Sequence, residues 1–324
     1  AIIKAANGEI DWMNAVIANI QKNFSAKNKN NHFWFFPSGE TSIVLNTKIH
    51  PFDNFEFRKA MSLAIDRDYL LQVSQLSISS NEAYETVQPI FSNWRENAQL
   101  GEYKYLMQYN ALQSKKTLKK AGFIDRDGDG FRENPDGSRL VFHIAISSDR
   151  TDLVNVLIAI QEDMQDIGIN MRIKSAVRTK WNSMVNQGNY PAYINGFVNG
   201  SLDIAKVESY IEYQTQKKTQ TKSSVVAQDS AKTLNTLIKQ YQLSDASNQS
   251  GIISQIQSLM ATELTSIELF SNARSYQYND FYFQGWANQN NPFVRPSVQM
   301  GYPERAIHVL NLSLKSRLRY LIER

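Results

Sequence analysis

The 324-residue sequence contains no cysteine, which excludes disulfides, cysteine-ligated zinc, iron–sulfur clusters and cysteine nucleophiles. Histidine is also scarce: the four histidines stand far apart, and none forms an HExxH or His-x-His pair. This spacing argues against a histidine-rich metal site. Motifs of the GxSxG, P-loop and GxGxxG types are missing as well, which weakens hydrolase, NTPase and dehydrogenase interpretations.

Long apolar runs and an excess of one charge are missing too. No stretch approaches the ~18 apolar residues of a membrane-spanning helix. The 35 Lys+Arg and 31 Asp+Glu residues leave a net charge of only +4, which we interpret as a mixed-charge surface without a nucleic-acid-binding face. The length is sufficient for a buried core and predicts about two domains.

Apolar strands alternate with helices in the middle of the chain. We predict strands over residues 140–147, 169–177 and 193–198, with a long helix closed by Gly168 between the first two. Strand–helix–strand alternation of this kind predicts an α/β fold with the three strands in one sheet.

Local signals predict where several elements begin and end. Asp66, Asn110 and Asp149 are predicted N-caps, because their side-chain oxygens can accept hydrogen bonds from the first backbone N–H groups of a helix. Pro37-Ser38-Gly39 predicts a turn between two short strands. The aromatic run Phe33 to Phe36 has two interpretations: a strand buried on both faces, or a platform on which sugars or bases stack.

Three separated blocks carry a family resemblance. They are Phe57-Arg58-Lys59-Ala60-Met61-Ser62-Leu63-Ala64-Ile65-Asp66-Arg67, then Lys119 to Phe123 followed by Asp127-Gly128-Asp129-Gly130, then Ile167 to Asn170 with Trp181 and Gly188. Together with Gly8-Glu9-Ile10-Asp11-Trp12 and Gly285-Trp286, they resemble the family 5 extracellular solute-binding proteins, the oligopeptide, dipeptide and nickel receptors of ABC importers.

The resemblance implies the class II periplasmic-binding-protein fold, in which two lobes close over a ligand by a hinge. The implied domains are 1–48 in the N-terminal lobe, 49–272 as a complete C-terminal α/β lobe, and 273–324 as a return segment to the N-terminal lobe. Only seven residues precede the Gly-Glu-Ile-Asp-Trp block, where family members carry many more. We therefore expect an incomplete N-terminal lobe and, for the chain alone, weak ligand binding.

The resemblance also implies the function. We expect a solute-binding receptor for peptides or a similar small solute, with an ABC permease as partner and no catalytic step or cofactor. The expected protein is a monomer on the periplasmic or extracellular side of the membrane, held there by the importer or by a missing N-terminal anchor. The alternatives are a peptide- or sugar-processing enzyme and a chaperone-like surface protein on the same scaffold.

The implied ligand contacts follow the third predicted strand. Peptide-binding members present there an Asp that pairs with the peptide α-ammonium, and Gly200 falls at that position here, with Asp203 three residues later. The candidate contacts are Phe197, Asn199, Gly200 and Asp203, with Arg274 and Tyr276 on the hinge side.

A possible metal loop precedes the first predicted strand. Asp125, Asp127 and Asp129 followed by Gly130 match the start of an EF-hand calcium loop, in which position 12 is Asp136 instead of Glu. The alternative is a tight Asp/Gly turn without a metal.

Overall fold

The computed structural model describes residues 1–74 apart from 16 and 18, then 103–195, 228–294, 296 and 304–315. The chain divides into two compact units, unit 1 formed by Ala1–Pro37 with Ala273–Arg324, and unit 2 formed by Ser38–Asn272. The lobe boundaries at 48/49 and 272/273 stay a prediction; the compact units change at 37/38 and 272/273.

The helices and strands of the described residues follow in chain order. The helices are α1 Ile2–Ala6, α2 Ile20–Asn23, α3 Phe55–Ala64, α4 Arg67–Val73, α5 Ala111–Lys120, α6 Val154–Asp166, α7 Arg178–Gln187, α8 Gln228–Leu243, α9 Ala246–Glu263 and α10 Glu304–Leu310. The strands are β1 Trp12–Met13, β2 Asn31–Leu45, β3 Val141–Ser147, β4 Asn170–Ala176, β5 Ala192–Asn195, β6 Ser266–Asn279, β7 Phe283–Gln284 and β8 Ser313–Leu314.

The sheet of unit 2 confirms the predicted α/β arrangement. Strands β2, β5, β3 and β4 are neighbours in that order. Strand β3 runs parallel to β4 and to β5, with Ser147 opposite Ala176 and Ile144 opposite Ala192, whereas β2 is antiparallel to β5. The three strands predicted from apolar alternation therefore lie in one sheet.

The two faces of this sheet carry different apolar clusters. Phe142, Ile144 and Ile146 alternate along β3 and are buried in the largest cluster, which also contains side chains of α3 and α6. The opposite face of β3 carries Ala145, which packs in a smaller cluster with Tyr190 and Tyr193. Both faces are thus covered, which explains the near-continuous apolar sequence of the central strand.

Two of the predicted helix caps are confirmed and one is wrong. The Asp66 carboxylate accepts a hydrogen bond from the Tyr69 N–H at 3.0 Å, and the Asn110 side chain accepts one from Gln113 at 2.9 Å. Asp149 does not cap a helix. Helix α6 begins at Val154 after a 3₁₀ turn over Thr151–Leu153, and the Asp149 carboxylate contacts Ser147 and Arg178 instead.

The predicted turn at residues 37–39 is also wrong. Strand β2 runs without interruption from Asn31 to Leu45, and the boundary between the two compact units falls at 37/38, inside this strand. Proline fixes φ near a value that extended backbone tolerates, so Pro37 does not by itself end a strand.

Unit 1 joins the two ends of the chain, as expected from the sequence. Strand β1 pairs with β6, with Trp12 opposite Tyr278. The fully buried Gln277 side chain accepts from the Ala15 N–H at 2.9 Å and donates to the Ala15 carbonyl at 3.0 Å, as a strand neighbour would. These bonds satisfy backbone groups of the N-terminal segment with a residue about 260 positions away.

The aromatic run at the start of β2 belongs to the interior of unit 1. Phe33 and Phe35 pack against one apolar cluster, and Trp34 and Phe36 pack against another that contains Tyr276, Tyr278 and Trp286. The alternation confirms the buried-strand interpretation. No helix within the described residues is long and apolar enough to cross a membrane.

Candidate functional site

The carboxyl ends of three parallel strands define the candidate ligand-binding edge of unit 2. Strand β3 ends at Ser147, β4 at Ala176 and β5 at Asn195. Because the strands are parallel, the segments that follow them leave the sheet at the same edge. Ligands of open α/β sheets bind beyond this edge, where the loops present side chains and backbone groups.

An ion pair joins two of these segments. The Arg178 Nε donates to Asp149 Oδ2 at 2.7 Å, and the Ser147 hydroxyl donates to Asp149 Oδ1 at 2.5 Å. These hydrogen bonds, first that of Ser147 and then that of Arg178, hold the pKa of the Asp149 carboxyl below its ordinary value. Both charged side chains are half exposed. The edge therefore presents a carboxylate and a guanidinium to solvent together.

The position of Arg178 is fixed by aromatic packing beneath α7. Trp181, one turn along the helix, packs edge-on against Tyr193 of β5 with ring centroids 5.6 Å apart, and Tyr190 meets Tyr193 at 4.6 Å. Trp181 is thus a packing residue. It anchors the helix on the sheet, and Arg178 is the first residue of that helix.

The predicted ligand contacts after β5 lie outside the described residues. They are Phe197, Asn199, Gly200 and Asp203. Strand β5 ends at Asn195, two residues before the first of them. Their roles stay a prediction.

The two predicted hinge-side residues lie on β6 in unit 1. Arg274 is half-buried, and burial lowers the pKa of its guanidinium. Tyr276 is fully buried; its hydroxyl lies 3.2 Å from His308 Nε2, and burial raises the pKa of its phenol far above the ordinary value. Tyr276 thus stands in the core of unit 1, stacked on Tyr278.

The predicted metal loop forms a cluster with one difference. One oxygen from each of Asp125, Asp127, Asp129 and Glu133 lies within 4.8 Å of the others. Asp136 is not among them. It accepts hydrogen bonds from the Ser138 hydroxyl at 2.7 Å and the Ser138 N–H at 2.9 Å, and these bonds, that of the hydroxyl first, lower the pKa of its carboxyl. The fourth oxygen donor of the cluster is therefore Glu133, the ninth residue of the loop, and not Asp136, the twelfth residue, which the EF-hand pattern predicted.

The backbone holds the carboxylates of this loop in place. Asp125 accepts N–H bonds from Gly128 at 2.8 Å and Gly130 at 3.1 Å, and Asp129 accepts one from Phe131 at 2.7 Å. Gly128 and Gly130 adopt φ values of +79° and +90°, which favour glycine. Four exposed or half-buried carboxylates in one loop form a set of hard oxygen donors that suits Ca²⁺.

Comparison with known proteins identifies the family. The sequence profile of the bacterial extracellular solute-binding proteins, family 5 Middle, matches residues 1–218. The chain belongs to this family. Family 5 members are by description extracellular, which agrees with the localisation expected from the sequence.

A curated relative and two solved structures show the extent of the similarity. The oligopeptide-binding protein AppA of Bacillus subtilis is 27% identical over 150 residues, which cover 46% of this chain and 26% of AppA. A periplasmic oligopeptide-binding protein of an ABC transporter from Thermotoga maritima superposes with a TM-score of 0.79 at 20% identity, covering 97% of this chain and 60% of that one. The AppA structure with a bound nonapeptide gives 0.64 at 19% identity, with 97% and 58% coverage.

These structural similarities show the class II periplasmic-binding-protein fold. The matched region covers about a quarter of the full length of AppA. The superposed chain covers about 60% of the length of the solved Thermotoga maritima structure.

Proposed function

We propose that this chain is part of the substrate-capture receptor of an ABC importer and binds a peptide or a similar small solute. The observation that carries the proposal is the convergence of three strand ends at one edge of unit 2, where Asp149 and Arg178 are half exposed and paired. Membership of family 5 and the similarity to oligopeptide-binding proteins support the same function.

The chemistry of the edge suits a ligand that carries both charges. A peptide brings an ammonium and a carboxylate. Arg178 Nη1 is not bonded to Asp149 and can donate to a carboxylate, while the Asp149 oxygens can accept from an ammonium. In the proposal, Phe197, Asn199, Gly200 and Asp203 complete the site from the segment after β5. Arg274 of β6 stays a ligand contact predicted from the family resemblance, and the buried Tyr276 holds β6 in the core of unit 1.

The proposed receptor performs no chemical step. Its partners are the ligand and the permease of the importer, with which it meets at the membrane surface as a monomer. Neither the enzyme alternative nor the chaperone-like alternative has a matching relative among the similar proteins reported above, which are binding proteins.

The test is a ligand screen on the folded chain by thermal unfolding and calorimetry, using oligopeptides, oligosaccharides and metal chelates into the millimolar range. A ligand at a hundredfold excess over its Kd stabilises the folded state by about 2.7 kcal/mol. We expect oligopeptides to bind, and Arg178→Ala and Asp203→Asn to weaken binding by about tenfold or more, equal to about 1.4 kcal/mol. Lys116→Ala on α5 is the control. Failure of all three ligand classes, or equal affinity in all variants, would contradict the proposed site.

We further propose that Asp125, Asp127, Asp129 and Glu133 bind Ca²⁺, because their oxygens converge. Calcium is expected to raise the Tm, and Asp127→Asn is expected to weaken calcium binding by about tenfold, equal to about 1.4 kcal/mol. Asp136→Asn is the matched control, since Asp136 belongs to the same loop but not to the cluster. A Tm independent of calcium, or equal weakening by both substitutions, would support the metal-free turn.

A further inference from the structure

Basic residues are concentrated in one part of unit 2. Between Asp166 and Asp203 the sequence has four basic residues and no acidic one. The chain as a whole has 35 basic and 31 acidic residues, so its net charge of +4 equals the charge of this one segment. The four are Arg172, Lys174, Arg178 and Lys180. The four basic residues lie on β4 and α7. Strand β4 is the outermost strand in the order β2, β5, β3, β4, so the positive charge is concentrated on this side of the sheet.

Strand β4 places two of these side chains beside a histidine. In the parallel register, His143 of β3 lies opposite Arg172, and Ala145 lies opposite Lys174, so the three ionisable side chains share one face. Arg172 and Lys174 are exposed, and His143 is half-buried. Neighbouring strands lie about 4.8 Å apart, and residues two apart along a parallel strand are separated by about 6.6 Å, so all three side chains can reach one small ligand.

Among the residues that the structure describes, no carboxylate pairs with Arg172 or Lys174. Within the described ranges, Arg178 forms an ion pair with Asp149, whereas neither Arg172 nor Lys174 forms one; Arg172 Nε has a long contact of 3.5 Å to the neutral Asn170 side chain. Burial, and then the charges of Lys174 and Arg172, lower the pKa of His143. Arg172 and Lys174 are two cations on the same face of β4 and repel each other, so stability of the strand alone does not account for the arrangement.

We propose that His143, Arg172 and Lys174 form a binding site for an oxyanion of the phosphate class. The guanidinium provides a fork of N–H donors, the ammonium a mobile point charge, and the neutral imidazole one further N–H. A bound oxyanion would offset the repulsion between the two cations. The site lies on a face of the sheet and is separate from the carboxyl-end edge of the proposed receptor function, so either proposal can fail without the other.

The competing explanation is protection of the sheet edge. Strand β4 pairs with β3 and with no other strand among the described residues, and charged side chains on edge strands prevent pairing with other molecules. Edge protection requires charge but no anion binding, and it assigns no role to His143. The two explanations therefore predict different results in an anion titration.

The test uses the imidazole resonances of the four histidines, recorded by NMR in the intact chain while inorganic phosphate replaces chloride at constant ionic strength. His143→Gln assigns the resonance. We expect a saturable shift at His143, and an affinity at least tenfold lower in Arg172→Gln and in Lys174→Gln. Lys116→Gln, an exposed lysine on α5, is expected to bind as the unsubstituted protein does.

A second arm identifies the source of the phosphate group. Lys174-dependent cosedimentation with phosphatidylglycerol vesicles, but not with phosphatidylcholine vesicles, would assign a lipid headgroup; phosphate binding without vesicle binding would assign a free ion. A His143 resonance that does not respond to phosphate, or that responds equally in the Lys174→Gln and Lys116→Gln variants, would overturn the site and leave edge protection as the explanation.

Discussion

Gly285→Ala is expected to destabilise the protein by about 3 kcal/mol, because it combines backbone strain with a steric clash. Gly285 has φ of +91°, and a Cβ atom there would lie 2.3 Å from the carbonyl oxygen of Asn311. This contact is with backbone, which cannot rotate away. Gly285 follows β7, and Asn311 lies just before β8, which pairs with β7. The methyl group would therefore force the two strands apart.

The clash would also move Trp286, the next residue. The centroid of its indole ring lies 5.3 Å from that of Tyr278, on which it stacks, and 5.6 Å from that of the buried His308 ring. Displacement of Trp286 would therefore open the aromatic core of unit 1. We expect the tryptophan fluorescence to change less on unfolding, and the midpoint of urea unfolding to lie at a lower urea concentration, than in the unsubstituted protein.

The matched control is Gly137→Ala. Gly137 has φ of +85°, but no atom lies within 4 Å of the added Cβ. It should cost only the strain of positive φ, about 1 kcal/mol. Equal losses in the two variants would show that the close approach to Asn311 is unimportant.

Helix starts could be predicted from the sequence where the deciding interaction is local. The Asp66 and Asn110 caps bond to N–H groups three residues ahead, and both were predicted correctly. The same reasoning failed at Asp149, because the carboxylate has a stronger partner. Arg178 lies 29 residues further along the chain, and only the parallel pairing of β3 with β4 brings the two together.

Strand continuity illustrates the same limit. Pro37-Ser38-Gly39 has the composition of a turn, yet the backbone continues as β2. An extended segment is stabilised by its neighbours in the sheet. Strand β2 lies between β6 and β5, and the pairing with β5 joins Ser42–Leu45 to residues about 150 positions later. Turn composition is a local signal and does not report such pairing.

The metal loop was predictable in its first half. Asp125, Asp127 and Asp129 are spaced so that the Asp/Gly turn itself brings their oxygens together, which is local geometry. The identity of the fourth oxygen donor depends on the backbone conformation of the residues after the Asp/Gly turn. Glu133 forms isolated bridges with Ile124 and Arg139, which return the chain toward the loop, whereas Asp136 lies in the following turn and bonds to Ser138. In an EF-hand, the twelfth residue of the loop lies at the start of a helix. This chain forms a turn at Asp136 instead, so the EF-hand pattern predicted Asp136 where the structure has Glu133.

The most specific block of the family resemblance has a structural role in this protein. Arg58 donates to the carbonyl of Phe52 at 2.7 Å and to that of Glu263 at 2.7 Å. Arg67, at the end of the block, is 3% exposed and donates to carbonyls from three separate parts of unit 2. The block thus identifies the family through residues that hold unit 2 together, while the proposed ligand contacts lie elsewhere in the sequence.

Arg67→Met is expected to destabilise the protein by about 3–5 kcal/mol, because it leaves several buried acceptors without a donor while keeping similar volume. Arg67 Nε donates to the Glu268 carbonyl of β6 at 2.8 Å. One terminal nitrogen donates to the carbonyls of Ser62 at 3.1 Å and Met107 at 3.2 Å, and the other to the Ser62 hydroxyl at 3.0 Å. The guanidinium therefore connects the end of α3, the 3₁₀ turn over Lys104–Met107 and β6.

The measurement is urea unfolding followed by circular dichroism, with Arg139→Met as the control. Arg139 is exposed, so the same change of side chain should alter the free energy of unfolding by less than about 0.5 kcal/mol. Arg67→Lys should fall between the two, since an ammonium keeps the charge but has only three donors and no planar fork. If Arg67→Met proved as stable as the Arg139→Met control, the carbonyls around Arg67 would have to reach water. The guanidinium would then not be the connection between α3 and β6 that its hydrogen bonds indicate.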